Sequence, residues 1–159
     1  MGSITPCLWF NGDAEAAAEH YVALFPNSGI DMVSRYGDGA PFATGTALMV
    51  AFHLDGQPMQ ALNGGPQYAF SEAISLSINC ADQAAVDHYW NGLLAAGGSP
   101  SQCGWLKDRF GVSWQVVPDA LGRLMASTDR EAAGRAMGVM MTMAKLDIAA
   151  LQAAYDGAA

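Results

Sequence analysis

The chain has 159 residues, 52% of them hydrophobic and 14% charged. That composition suits one compact domain, or two small modules sharing a core, and excludes a disordered or low-complexity chain. Seven Lys and Arg stand against 15 Asp and Glu, a formal net charge of −8, so nucleic acid and anionic membrane surfaces are excluded as partners.

No run reaches the roughly 18 to 20 apolar residues of a membrane span. The opening Met1-Gly2-Ser3-Ile4-Thr5-Pro6 has neither the basic start nor the apolar core of a signal peptide. Cys7, Cys80 and Cys103 are odd in number, far apart and without a CxxC pair. They argue against a disulfide framework and a zinc knuckle, and the expected location is cytoplasmic.

Ile4 to Phe10 reads as a short strand, followed by Asn11-Gly12-Asp13 as a turn ending in a helix N-cap. Ala14, Ala17, Ala18, Tyr21, Leu24 and Phe25 recur at helical spacing, and Pro26-Asn27-Ser28-Gly29 stops that helix. Strands are predicted over 30–36, 46–54 and 57–62, the last two joined by the Asp55-Gly56 hairpin signal. The order then recurs. Residues 73–79 read as a strand, Asp82 as a cap, and Val86, Tyr89, Trp90, Leu93 and Leu94 as a helix face. Gly97-Gly98-Ser99-Pro100 ends that helix, and 103–110 and 112–117 are the later strands. From Pro118 onward the pattern is helical. Met137, Met140, Met141 and Met143 there read as a packing face against the outer sheet or a dimer partner.

The recurrence extends to individual residues. Glu19-His20-Tyr21 matches Asp87-His88-Tyr89, and Gly56 with Gln60 matches Gly111 with Gln115 at the same spacing. Duplication of one strand-helix-three-strand unit follows. The expectation is an α+β fold in one domain, 1–159, with modules at 3–66 and 72–118 and a helical extension at 119–159.

Few residues carry an enzymatic signature. There is no GxSxG, no P-loop and no GxGxxG. Gly64-Gly65 closes a strand and Gly97-Gly98 ends a helix, so neither pair cradles a nucleotide. Cys103 lies near Lys107 but reads as a structural thiol. His20 and His88 read as helix-surface or interface residues. His53, on a strand, could face either a ligand or solvent, and a lone His there could act as a general base.

The doubled unit resembles the vicinal oxygen chelate superfamily of glyoxalases, extradiol dioxygenases and antibiotic-resistance proteins. Three segments, Ile4 to Phe10 with Ala14-Glu15-Ala16-Ala17, then Ala61-Leu62-Asn63-Gly64-Gly65-Pro66, and finally Cys103 to Asp108 with Phe110 to Gln115, resemble those of its PhnB-like family, often labelled 3-demethylubiquinone-9 3-methyltransferase. The resemblance implies two βαβββ modules whose sheets form a glyoxalase/bleomycin-resistance-like half-barrel cavity, and a homodimer.

It also implies a place where relatives hold a divalent metal through two His and two Glu. Here the Glu positions carry Gln60 and Gln115. The first-strand positions fall on Pro6 and Ile74 when counted back from the helix tyrosines, or on Cys7 and Ser75 with a one-residue slip. No cofactor is therefore expected, and a divalent metal is the disfavoured alternative.

Along the last strand Ser113, Gln115 and Val117 share one face, and Val112, Trp114 and Val116 the other. The resemblance places the Gln115 face in the cavity and Asp108 in a turn before that strand, where a turn-capping hydrogen bond is its simplest role. The expected ligand-lining residues are Trp9, Phe52, Gln60, Leu62, Asn63, Ser75, Trp105, Phe110, Ser113 and Gln115. They would hold a small, mostly apolar or aromatic molecule. The alternatives are an enzyme of the same fold, either a metal-dependent lyase, isomerase or dioxygenase or the methyltransferase of the label, and a protein that sequesters a drug or toxin.

Overall fold

In a computed structural model, residues 2–158 are described; Met1 and Ala159, the ends of the expected domain, lie outside them. The chain divides into two units, one ending at Phe70 and one beginning at Ser71. No helix among the described residues is long and apolar enough to cross a membrane.

The first unit contains β1 (Cys7–Phe10), α1 (Ala14–Leu24), β2 (Gly29–Arg35), β3 (Ala47–Leu54) and β4 (Gln57–Asn63). Its sheet runs β1-β4-β3-β2, with β1 parallel to β4 and the other neighbours antiparallel. The turn between β3 and β4 places Asp55 and Gly56 both at positive φ, as the two-residue hairpin demands. Helix α1 buries Ala14, Ala17, Ala18 and Tyr21 completely. Small side chains let it approach the sheet closely, against Val50, Phe52, Met59 and Ala61.

The start of α1 departs from the expected cap. Asp13 occupies the N-cap position, but its side chain makes no capping bond. Asn63 does that work from the end of β4. Its Oδ1 accepts from Gly12 N at 2.8 Å and Ala14 N at 3.0 Å, and its Nδ2 donates to Ala47 O at 2.9 Å. One fully buried amide thus joins the helix start, the last strand and its neighbour.

The second unit repeats the plan with β5 (Leu76–Cys80), α2 (Gln83–Leu94), β6 (Ser99–Pro100), β7 (Trp105–Lys107) and β8 (Ser113–Pro118). The sheet order is β5-β8-β7-β6, again with its first strand parallel to its last. Here the expected cap forms: Asp82 accepts from Ala85 N at 2.8 Å. The sequence reading missed β6, a two-residue stub at the sheet edge where Pro100 has no N–H to donate.

Burial also corrects the alignment of the two helices. Ala17 and Tyr21 are buried in α1, Val86 and Trp90 in α2. Tyr21 therefore corresponds to Trp90, one position beyond the match of the His-Tyr pairs. The buried stripe sets helix register, and the His-Tyr resemblance lies off it.

Three further helices follow: α3 (Asp119–Met125), α4 (Arg130–Met140) and α5 (Ile148–Asp156). With the connection between α4 and α5 they form a small core from Leu124, Ala136, Leu146 and Leu151, against which Met140 and Met143 pack. Met137 and Met141 are exposed, so only half of the methionine cluster is a packing face.

Asp108, in the turn between β7 and β8, is 4% exposed. Its Oδ1 accepts from Phe110 N at 2.9 Å and Val112 N at 3.0 Å, and its Oδ2 accepts from Trp114 Nε1 at 2.8 Å. The turn-capping role expected of it is present, with a bond to the buried indole added. Asp108→Ala leaves three donors without this acceptor and should lower stability by about 3 kcal/mol, read as a shift in the urea midpoint. Asp108→Asn should cost less, because only the bond to Trp114 is lost. A loss under about 1 kcal/mol for the alanine variant would contradict this account.

Candidate functional site

Directly paired residues on neighbouring strands share a face of the sheet. In the first unit the register pairs Cys7 with Gln60, Trp9 with Leu62, Gln60 with Ala51 and Leu62 with Met49. These residues, with His53, form the face turned away from α1. In the second unit Ser77 pairs with Gln115, Gln115 with Trp105, and Ser113 with Lys107. They form the face turned away from α2. Each unit thus offers one amide-bearing face.

Trp9 is fixed in place. Its Nε1 donates to Gly65 O at 2.9 Å, and Tyr68 meets its ring edge-on at 5.0 Å. A Cβ on Gly64 would lie 2.2 Å from Trp9 Cζ2, so only glycine fits beneath the ring. Gly65 follows at φ +107. The Asn63-Gly64-Gly65 run thereby has a use for each residue: a helix cap, a bed for the indole, and a positive-φ turn. In the second unit Gln115 Nε2 donates to Ser75 Oγ at 2.9 Å, so two expected site residues meet directly.

Among the expected ligand-lining residues, Trp9, Gln60 and Leu62 lie together on the first face, and Trp105, Ser113 and Gln115 on the second, where Ser75 joins them. Three do not. Phe52 pairs with Met59 and is 1% exposed beneath α1. Asn63 is fully buried on that same helix side, with its amide committed to backbone. Phe110 sits in the β7–β8 turn, where Arg109 lies 4.5 Å above its ring. The position of Phe52 was readable from the hairpin. A two-residue turn at Asp55-Gly56 pairs Leu54 with Gln57, which puts Phe52 opposite Met59 and off the Gln60 face.

The sequence reading missed Glu72 and Lys107, which form an ion pair. It also missed Ser77, the residue opposite Gln115. Counting back from the helix tyrosines gives Ile74 or Ser75 and falls short of Ser77, in part through the helix alignment corrected above and in part because the connection from β5 to α2 is one residue shorter than that from β1 to α1.

His53 Nδ1 lies 2.9 Å from Asp31 Oδ1 at the β2–β3 pairing. His20 is half-buried and His88 exposed, both on helices. Cys103 is half-buried at φ +57, with its sulfur 3.8 Å from that of Met141.

The positions where the resemblance implies a metal hold Cys7 opposite Gln60 and Ser77 opposite Gln115. Desolvation pushes the Cys7 thiol up from its ordinary range. Neither a thiol with an amide on the first sheet nor a hydroxyl with an amide on the second supplies the imidazole and carboxylate ligands that hold a divalent transition metal.

The sequence profile of the family described as 3-demethylubiquinone-9 3-methyltransferase matches residues 2–117. The chain belongs to this family. A putative 3-demethylubiquinone-9 3-methyltransferase, PhnB protein, from Bacillus cereus is 32% identical, covering 74% of this chain and 99% of its own, with a TM-score of 0.68. Protein PA1353 from Pseudomonas aeruginosa is 23% identical over 74% of this chain and 98% of its own, with a TM-score of 0.62, and shares the fold. A comparison with curated proteins returned no match. The two four-stranded mixed sheets, joined with helices, make an α+β fold that the chain shares with these relatives.

Two expectations follow from the local geometry. Gly64→Ala should displace the Trp9 ring, destabilise the fold by about 1–3 kcal/mol and alter the near-ultraviolet circular dichroism. An unchanged spectrum would mean that the ring does not rest on Gly64. Cys80, buried on β5, has its thiol pushed up from 9.0 to about 11 by desolvation first and by the Asp119 and Asp82 carboxylates next. Below pH 9 native and unfolded chains both keep that proton. Between pH 9 and 11 the unfolded chain releases it while the native chain retains it, so stability should fall as pH rises through this window. Urea midpoints for wild type and Cys80→Ala across that range should converge as the wild type loses stability. Parallel curves would exclude the linkage.

Proposed function

We propose that the chain is a small-molecule-binding protein that takes a mostly apolar or aromatic ligand against the amide-bearing faces of its sheets, without a catalytic metal. The observation that carries this reading is the replacement set. Cys7 with Gln60 and Ser77 with Gln115 stand paired where metal ligands are implied, and these side chains donate and accept hydrogen bonds without net charge. Trp9 and Trp105 beside them supply flat apolar surface. An anchored indole next to an amide suits a ligand with an aromatic body and a polar edge.

The family's name raises methyl transfer as a second reading. Against it stands the absence of a nucleotide cradle in either glycine pair: Gly64 and Gly65 carry Trp9, and Gly98 packs between the end of α2 and Lys107 O. We read the protein as a cytoplasmic homodimer. The uneven, unpaired cysteines support the compartment, and Ile30 and Met32, exposed on edge strand β2, support an association surface.

Elemental mass spectrometry tests the metal. Untagged protein, purified without chelators and dialysed against Mn, Fe(II), Ni and Zn in turn, should retain less than about a tenth of an equivalent per chain. Near-stoichiometric retention of any of them would overturn the metal-free reading and favour lyase, isomerase or dioxygenase chemistry. In parallel, calorimetric titration with S-adenosylmethionine should give no heat of binding, and a saturable isotherm would restore the methyltransferase.

A further inference from the structure

On the amide-bearing face of the second sheet lies a pocket of about 220 Å³, lined by Glu72, Ser99, Pro100, Trp105, Lys107 and Ser113 among others. This is smaller than the roughly 300 Å³ at which drug-sized sites begin. Ser113 is 3% exposed, and its Oγ has no hydrogen-bond partner among the described residues. Buried hydroxyls are nearly always satisfied, so an orphan on a pocket wall marks a place where a polar atom belongs. Lys107 pairs directly with Ser113 across β7 and β8, which brings an ammonium to the same wall. Its present partner is the Glu72 carboxylate. That carboxylate comes from the segment leading into β5 and is itself 66% exposed, so it rests on Lys107 without being built into the core.

We propose that this pocket is a subsite for the carboxylate of a small monoanionic organic acid, bound by Lys107 and Ser113, and that Glu72 is an internal stand-in which the ligand displaces. The proposal rests on the reading of this face as the binding face. Three observations select a carboxylate. A carboxylate already sits on Lys107, which establishes the fit. The site has one ammonium and one hydroxyl, which matches a single negative charge. The chain carries a net charge of −8, which disfavours dianions such as phosphate. Trp105 and Pro100 then provide the apolar wall for the body of the acid.

Benzoate is the probe, followed by chemical-shift perturbation on the full-length protein, with benzamide as its neutral counterpart and inorganic phosphate as the dianion control. Benzoate should perturb resonances of Trp105, Lys107 and Ser113 and bind at least about tenfold more tightly than either control. Lys107→Met should weaken benzoate binding about tenfold or more and leave benzamide unchanged. Glu72→Gln should act in the opposite direction, tightening benzoate a few-fold by removing the competitor. A gain of affinity cannot come from misfolding. Ser113→Ala should weaken benzoate, and an unchanged affinity would remove Ser113 from the site. Equal binding of benzoate and benzamide, insensitive to Lys107→Met, would overturn the carboxylate subsite while leaving the binding face standing. Absence of binding by either aromatic up to its solubility limit would overturn the subsite and count against the binding-face reading as well.

Discussion

A helix that leaves one edge strand of a four-stranded sheet and delivers the chain to the opposite edge must cross the whole sheet, and it can cover only one face. Both modules obey this constraint. Helix α1 connects β1 to β2, the two edges of the first sheet, and α2 connects β5 to β6, the two edges of the second. Every residue on the covered face is committed to packing. The residues on the other face are left to differ, and the chemistry collects there. The period of two along each strand then sorts the side chains without further choice. Gln60 falls on one side and Phe52 on the other, Gln115 on one side and Trp114 on the other.

The connections that hold this arrangement are polar and few. Asn63 fastens the start of α1 to the end of β4, and Asp108 fastens the last turn to the indole of Trp114. Both are buried, and each makes three bonds to protein donors or acceptors, so neither can also serve a ligand. This explains why motif residues that look functional by their polarity are structural. A short polar side chain at a strand end is where the helix leaves its amides unpaired. The polar groups that the framework does not use are others: the amide of Gln60, the hydroxyl of Ser113 and the ammonium of Lys107, which is held only by the exposed Glu72.

Much of the fold was legible in the sequence because its signals are local. The Asp55-Gly56 turn, the Asp82 cap and the small-residue stripe Ala14, Ala17, Ala18 each announce an element within a few residues. The faces of the strands around Gln60 and Gln115 were legible too, since alternation is strict. What escaped depended on distant partners. Asn63 bonds to Gly12, far away in sequence, and took the cap expected of Asp13. The pair of Glu72 with Lys107 spans a strand, a helix and a stub that was not foreseen. The register linking the modules is set by the buried stripe of each helix and by the shorter connection from β5 to α2, neither of which the three-residue likeness in the helices shows.

The family match ends at residue 117, two residues before α3 begins, so the three C-terminal helices are an addition to the shared fold. Their attachment is specific. Cys103 N donates to Met143 O and Gly104 N to Ala144 O, both at 2.8 Å, so the segment before α5 runs alongside the entry to β7. Gly104, at φ +83, has Leu146 within 3.1 Å of where a Cβ would stand, and Leu146 is fully buried. Gln83, on the first turn of α2, donates to Leu146 O and accepts from Ile148 N, and Lys145 reaches Asp87 at 2.6 Å. The extension therefore grips both ends of one structural path, the first turn of α2 and the approach to Trp105. That approach positions the strand carrying Trp105 and Lys107. An appendage that holds the approach to β7 thus constrains the strand that lines the pocket of about 220 Å³ without contributing, among the described residues, to that lining.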